Sequence, residues 1–351
     1  MNTRNRFFLF QGISIIFLLG LSSCQKDGLT PVATSGGVAK ANLTVGLPPV
    51  LMAWTGVASI PYNDGVPGDV PGSNQYPLGF AINGKGFVLG SILTTTKYQV
   101  GDYVNDLWQW DPATRTWTKK TSIPLTGGTL VQGTAFVIGD NAYVVADNQT
   151  WQYNQPTDTW TKKATLPGVP RSSASSFAIN GKGYLGLGTN DNTVVDLNDW
   201  WQYDPTADRW TQKGNFAGNS RDGAAAFAVD GEGYVVSGFH GTGNGGEYGR
   251  TVWQYDPVAD HWTQKASFPG TARVHAVAAN GTVGGVDVGF VVGGNLSTDG
   301  PGDSWSYDPA HDTWASLPMG GGGLHWEAAG FVIGHSLYVA NVTVSVLVWS
   351  R

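Results

Sequence analysis

Trp201-Gln202-Tyr203-Asp204-Pro205-Thr206-Ala207-Asp208-Arg209-Trp210 decides the fold of this chain. Aromatic residues flank a polar segment whose proline presets φ and whose aspartates cap a turn, so two short strands are joined tightly. The stretch recurs along the chain. Trp108-Gln109-Trp110-Asp111-Pro112 leads to Trp117, Trp151-Gln152-Tyr153-Asn154 to Trp160, Trp253-Gln254-Tyr255-Asp256-Pro257 to Trp262, and Trp305-Ser306-Tyr307-Asp308-Pro309 to Trp314. The leading tryptophans stand 43, 50, 52 and 52 residues apart, about the length of one four-stranded propeller blade.

The rest of each unit supplies the other two strands. Ser175-Ser176-Phe177-Ala178-Ile179 meets an Asn180-Gly181-Lys182-Gly183 turn and returns as Tyr184-Leu185-Gly186-Leu187, an antiparallel hairpin. A polar loop then leads to the third strand at Trp201 to Tyr203, and Trp210-Thr211-Gln212-Lys213 forms the fourth. At the N-terminal side, Trp54-Thr55-Gly56-Val57-Ala58-Ser59-Ile60-Pro61 matches Trp117-Thr118-Lys119-Lys120-Thr121-Ser122-Ile123-Pro124, so it is a fourth strand without its blade. At the C-terminal end, the hairpin Phe331 to Val339 and the strand Val344 to Trp349 lack a fourth strand. The two fragments make one blade. The sequence therefore predicts an all-β, six-bladed propeller over residues 51–351, its last blade closed by the N-terminal strand, which removes free sheet edges.

These units resemble kelch repeats over about residues 51 to 351. The likeness is strongest in the Tyr-Asp-Pro-x-x-Asp-x-Trp half. The family's double glycine after the second strand survives only as Gly293-Gly294; Gly90, Gly188 and Gly238 stand single, and Ala146 and Ala340 replace it.

Composition agrees with an all-β reading. The chain of 351 residues carries 50 glycines and 15 tryptophans, with 41% hydrophobic and 13% charged residues; glycine weakens helices and aromatic residues suit strands. A net charge of −6 without a Lys/Arg run leaves no electrostatic footprint for nucleic acid. Arg4 and Arg6 precede an apolar run from Phe7 to Leu21, short for a membrane span and patterned as a signal peptide. Leu21-Ser22-Ser23-Cys24 resembles the lipobox of bacterial lipoproteins. That resemblance implies a signal peptide over 1–23, a lipid on Cys24 as the membrane partner, and a flexible tether over 24–50. Gln25 implies an outer-membrane destination, on the periplasmic or the cell-surface side. Cys24 is the one cysteine, which forbids an intrachain disulfide.

A tryptophan repeated in every blade reads as packing between sheets, so ligand-contacting residues are sought where blades differ. Variation concentrates where the first strand of each blade begins, the expected ligand end. Six residues before the first-strand Phe stand Asn74, Leu130, Arg171, Arg221 and His325; the fifth blade reads as two residues shorter, with Arg273 and His275 near that place. Tyr76 and Gln132 lie in the same entry segments. In kelch domains this position lines the central mouth, so the resemblance implies that Arg171, Arg221 and Arg273 converge on an acidic group of a glycan or protein segment. The alternative is that each arginine ties down its own loop through backbone carbonyls.

His325-Trp326-Glu327 places an imidazole and a carboxylate on one face of a strand, candidates for general acid and base beside the arginines; the alternative is a carboxylate that neutralises an arginine. The loops Ser91 to Asp106 and Phe239 to Thr251 are expected to wall the mouth with Tyr98, Tyr103, Phe239, His240 and Tyr248. Asp-rich pieces at 190–199 and 299–303 raise calcium as a possibility, although no EF-hand or HExxH spacing is present and no motif calls for a cofactor.

Galactose oxidase chemistry, which the wider superfamily includes, requires a cysteine crosslinked to tyrosine, and the one cysteine lies in the lipobox. The Ser-x-Asp-x-Gly-x-x-Trp boxes of sialidases are absent. Three readings stand: a non-catalytic binding protein of the envelope, a sugar mutarotase or epimerase similar in architecture to the exported sialate mutarotases, and a structural scaffold in an envelope complex.

Overall fold

The computed structural model describes residues 52–58, 60–61, 74–92, 105–125, 130, 133–241, 245–296, 303–318, 328–340 and 344–349; the side chains of 74–76, 91–92, 296 and 344–345 lie outside that description. The chain divides into two units, Met1–Gly46 and Leu47–Arg351. The first lies wholly outside the described residues, and with it fall the expectations for the signal peptide, Cys24 and most of the tether. Among the described residues no helix is long and apolar enough to cross a membrane.

The described residues of the second unit form six four-stranded antiparallel sheets, with three two-stranded ones in the loops between their strands. Blade 1 is Asn74–Ile82, Lys85–Ile92, Asp106–Asp111 and Thr116–Lys120; blade 2 is Thr134–Ile138, Asn141–Ala146, Gln149–Asn154 and Thr159–Lys162. Blade 3 is Ser175–Ile179, Lys182–Gly186, Trp200–Asp204 and Arg209–Lys213; blade 4 is Ala225–Val229, Glu232–Val236, Val252–Asp256 and His261–Lys265. Blade 5 is Val277–Val283, Val286–Val292, Ser304–Asp308 and Thr313–Ser316. Blade 6 is Ala329–Ile333, Ser336–Ala340 and Val344–Trp349, completed by Met52–Val57, which pairs Met52 with Trp349 and Val57 with Val344. The ring is closed as the two chain ends predict.

Adjacent blades interlock through glycine and phenylalanine. A Cβ on Gly86, Gly183, Gly233 or Gly289 would overlap the ring of Phe331, Phe136, Phe177 or Phe227 on the preceding blade. Those glycines are fixed by the close approach of a neighbouring sheet. Blade 5 carries Ala279 where the other blades carry phenylalanine, and blade 6 answers with Leu337 in place of glycine, the two packed in one core cluster. Volume is thus exchanged across the interface and conserved in sum.

The repeated Asp-x-Trp segment forms a second belt around the perimeter. Tyr153, Tyr203, Tyr255 and Tyr307 donate their hydroxyls to Asp158, Asp208, Asp260 and Asp312. The same aspartates accept a backbone N–H from the preceding blade, at Thr121, Ala164, Gly214 and Ala266. Each also faces a lysine of that blade, Lys120, Lys163, Lys213 or Lys265. Trp54, Trp117, Trp160, Trp210 and Trp314 donate their indole N–H to backbone carbonyls of the preceding blade at Pro318, Ala58, Thr121, Ala164 and Ala266. Burial alone would raise the carboxyls of Asp158, Asp208 and Asp260, but these donors and cations outweigh it and hold them below the usual carboxylate range.

One detail of the repeat differs from expectation, and blade 6 departs from the pattern of the other blades. Blade 5 is not shortened before its first strand: Ala279 holds the phenylalanine register, and Arg273 stands level with Arg171 and Arg221. In blade 6 the place of Trp201 is taken by Ser345, while Trp349 lies buried against Phe290 and donates to Thr282 O.

Candidate functional site: the central mouth

The six first strands surround the axis with small side chains. Cavities along it are lined in turn by Ala174, Ala224, Ala276 and Ala328 at the entry end and by Ala135, Ser176, Ala226 and Ala278 further in. The entry end opens as a cavity of about 150 Å³ bounded by Pro77, Leu78, Gly133, Ser173, Gly223 and His275. Just before the rim in blades 3 and 5, a two-residue strand pairs with one that follows the second strand of the same blade: Arg171–Ser172 with Thr189–Asn190, and Arg273–Val274 with Asn295–Leu296.

Three consecutive blades enter the mouth with the same backbone. Ser173, Gly223 and His275 all adopt left-handed φ, 54°, 56° and 52°. Gly223 N donates to Ser173 O and His275 N to Gly223 O, so the three turns are tied around the rim. The conformation repeats while the side chain changes from hydroxyl to hydrogen to imidazole. His275 lies over Gly223, where an added Cβ would stand 2.9 Å from the imidazole, and its Nε2 is 3.1 Å from Ser173 Oγ. Burial pushes the His275 imidazole down to about 4, so it is neutral at pH 7.

The arginines occupy a different layer, two residues before this rim. Arg171 donates from Nε to Val169 O, from Nη1 to Leu187 O, and from Nη1 and Nη2 to the two carboxylate oxygens of Asp199 at 2.6 and 2.7 Å. Arg273 donates to Thr271 O, Gly293 O and Asp303 O, and forms an ion pair with the Asp303 carboxylate. Arg221 donates to Asn219 O, Ser237 O and Thr251 Oγ1. All three are buried, at 6%, 0% and 4% exposure. Convergence on one anion is therefore corrected: each guanidinium bonds the carbonyls of its own loop, the alternative the sequence left open. A buried arginine needs all its donors met, and the entry loops supply most of them.

The remaining expected residues divide into three groups. Tyr248 pairs with Phe239 in a two-stranded loop sheet, ring centroids 5.3 Å apart, while His240 faces Glu247. Asn74 and Tyr76 lie in the first strand of blade 1, their side chains outside the described set. Gln132, His325, Trp326 and Glu327 lie outside the described residues altogether, as do Tyr98 and Tyr103. Of the Asp-rich pieces, Asp199 and Asp303 are committed to arginine and to the indoles of Trp201 and Trp305, and Asp196 accepts Gly241 N. Burial raises the carboxyls of Asp196 and Asp222, which share the hydroxyl of Thr189.

Sequence reasoning passed over Ser173 and Gly223. The signal that finds them is register: three residues before Gly79, Ala135, Ser176, Ala226, Ala278 and Gly330 stand Tyr76, Gln132, Ser173, Gly223, His275 and Glu327. That position differs in all six blades, whereas the position two residues earlier repeats arginine in blades 3, 4 and 5.

The family model of the kelch motif matches residues 220–269, which span blade 4 and its entry. No curated protein matches the chain. Among solved structures, one titled "Structure of YjhT" is 17% identical, with 83% of this chain and 96% of that chain covered and a TM-score of 0.61. At that identity the likeness is one of fold.

Proposed function

The chain is a six-bladed kelch-type β-propeller, and we propose that it is a non-catalytic binding protein of the cell envelope, lipid-anchored through Cys24, whose ligand seats at the central mouth. One observation carries this reading: an identical left-handed turn in three blades presents a different side chain each time, with the Ser173–His275 pair at its polar focus. A constant scaffold with variable tips is how a rigid fold builds a site. Because the arginines are bound to their own loops, the ligand is recognised by hydroxyl, imidazole and small apolar contacts. A hydroxyl-rich glycan end or a polar protein segment fits that chemistry better than a group chosen for its acidity.

A second reading draws on His275. A neutral imidazole hydrogen-bonded to a hydroxyl is the group a mutarotase would use as a base, although burial that holds it near 4 makes it a weak one unless a bound ligand stabilises its charged form. The test for both is thermal unfolding of the purified protein against a panel of neutral and acidic sugars, with His275→Gly, which copies Gly223, as control. Ligand at a hundredfold excess over Kd stabilises the native state by about 2.7 kcal/mol. A shift for some sugar that His275→Gly abolishes supports the mouth; no shift for any sugar at saturation removes the small-glycan reading. Exchange between anomers of a bound sugar, followed by NMR, separates the catalytic reading from the binding one.

A further inference from the structure

Blades 3, 4 and 5 build the same arginine cradle, and the middle one lacks a part. In blade 3, Asp199 accepts from Arg171 Nη2 at 2.7 Å and from Trp201 Nε1 at 2.7 Å. In blade 5, Asp303 pairs with Arg273 Nη2 and accepts from Trp305 Nε1 at 2.8 Å. The corresponding residues of blade 4 are Arg221, Thr251 and Trp253. Their frame is unchanged: Nε of Arg171, Arg221 and Arg273 donates to the carbonyl two residues earlier, and Nη1 donates to Leu187, Ser237 or Gly293. Thr251 meets Nη1 at 2.9 Å, but a threonine has no second oxygen to reach Nη2 or the indole.

Two donors are left facing the place that a carboxylate fills in both neighbours. Among the described residues, Arg221 makes three bonds, which involve only Nε and Nη1, and the buried Nε1 of Trp253 meets no acceptor. Space is kept beside them by Gly218, where a Cβ would stand 2.8 Å from Trp253 Nε1. Gly168 and Gly270 keep the same space beside Asp199 and Asp303. Arg221 is 4% exposed and lies with its guanidinium 5.1 Å from the Phe216 ring centroid. A buried cation without a counter-charge is strongly unfavourable, and a buried N–H without an acceptor adds to it.

We propose that the entry loop of blade 4 binds a small monovalent anion, a halide or the carboxylate of a small acid, between the Arg221 guanidinium and the Trp253 indole N–H. The anion does for blade 4 what Asp199 and Asp303 do for blades 3 and 5. This site is separate from the mouth, since Arg221 stands a layer behind the rim, so it stands or falls independently of the binding function proposed there.

The test is thermal unfolding at fixed ionic strength, starting in a bulky sulfonate buffer and replacing its anion by bromide or by formate. The Tm of the wild-type protein is expected to rise by several degrees with either anion, and bromide crystals to show an anomalous peak between Arg221 Nη2 and Trp253 Nε1. Thr251→Asp supplies the carboxylate internally, so it is expected to unfold above the anion-free wild type and to lose the response. Should that variant not fold, Trp253→Phe keeps the shape and removes one donor, and half the shift then requires about tenfold more anion. A response to bromide alone assigns a halide site, and a response to formate as well assigns a site for small carboxylates. A Tm indifferent to both anions, a response unchanged in both variants, or water in place of bromide overturns the proposal.

Discussion

The perimeter and the mouth of this propeller are built on opposite rules. Around the perimeter one set of contacts is repeated: the Tyr–Asp bond, the backbone N–H it accepts and the Trp carbonyl bond recur from blade to blade. At the mouth the backbone is repeated in three blades and the side chains are not. Repetition thus marks what holds the ring together, and difference within a fixed backbone marks where a ligand is read. The arginines show why both must be observed at once: they look like tips in the sequence and belong to the frame in the structure.

The largest effect that separates the two regions is expected at Arg171. Arg171→Ala leaves Asp199 partly buried without its cation and should destabilise by about 3–5 kcal/mol, measured by chemical unfolding. Its failure to do so would return the arginine to the ligand. Next comes the interlock. Gly183→Ala forces a methyl group into Phe136 and should cost roughly 1–3 kcal/mol; combined with Phe136→Leu it should cost less than the two changes separately, as the Ala279 and Leu337 pair implies. Asp208→Ala, which removes the acceptor of Tyr203 and Ala164 N together, should cost about 1–2 kcal/mol by the same measurement. The smallest effect belongs to the mouth: His275→Gly places a residue suited to positive φ where a histidine now sits, and should change stability at pH 7 by less than about 1 kcal/mol while abolishing any ligand response.

Acid sharpens the same contrast, because the two regions titrate in different windows. The folded His275 is held down to about 4, so its contribution is complete above its unfolded value of about 6.5 and is lost as pH falls from there toward 4. Asp158, Asp208 and Asp260 are also held down, so theirs is complete above an unfolded value of about 4 and is lost only as pH falls further, through the lower folded values. Burial raises Asp196 and Asp222, so their protonation as pH falls works against the His275 loss in that window; the check is therefore the difference between proteins, with His275→Gly losing less stability than the wild type as pH falls from about 6.5 toward 4. Parallel pH curves for the wild type and His275→Gly above pH 4 would show that His275 is not buried as described.

The fold was legible because its determinants are local and repeated. A turn such as Asp204-Pro205-Thr206-Ala207-Asp208 specifies its own geometry, and the split blade is readable because Trp54 to Pro61 matches Trp117 to Pro124 residue by residue. The site was only half legible. His275, Tyr76, Gln132 and Glu327 were found as variable residues, but the boundary between rim and frame is set by which carbonyls the arginines reach, and no local pattern states that. Blade 5 was misread because Ala279 replaces the phenylalanine used to count, and the compensation by Leu337 lies in a different blade.

The closing strand has a consequence for how the protein comes to exist. Among the described strands, Met52–Val57 is the first to be synthesised, and its partner, Val344–Trp349, is the last. Chains emerge N-terminus first, so this strand waits through the making of five and a half blades with its hydrogen-bonding edge unpaired. Pairing across nearly the whole folded unit is slow, since the chain entropy of closing so long a loop must be met before any contact rewards it. The ring is thus finished by its oldest segment, and a chain interrupted anywhere before Val344 has every blade it has made but no means to close.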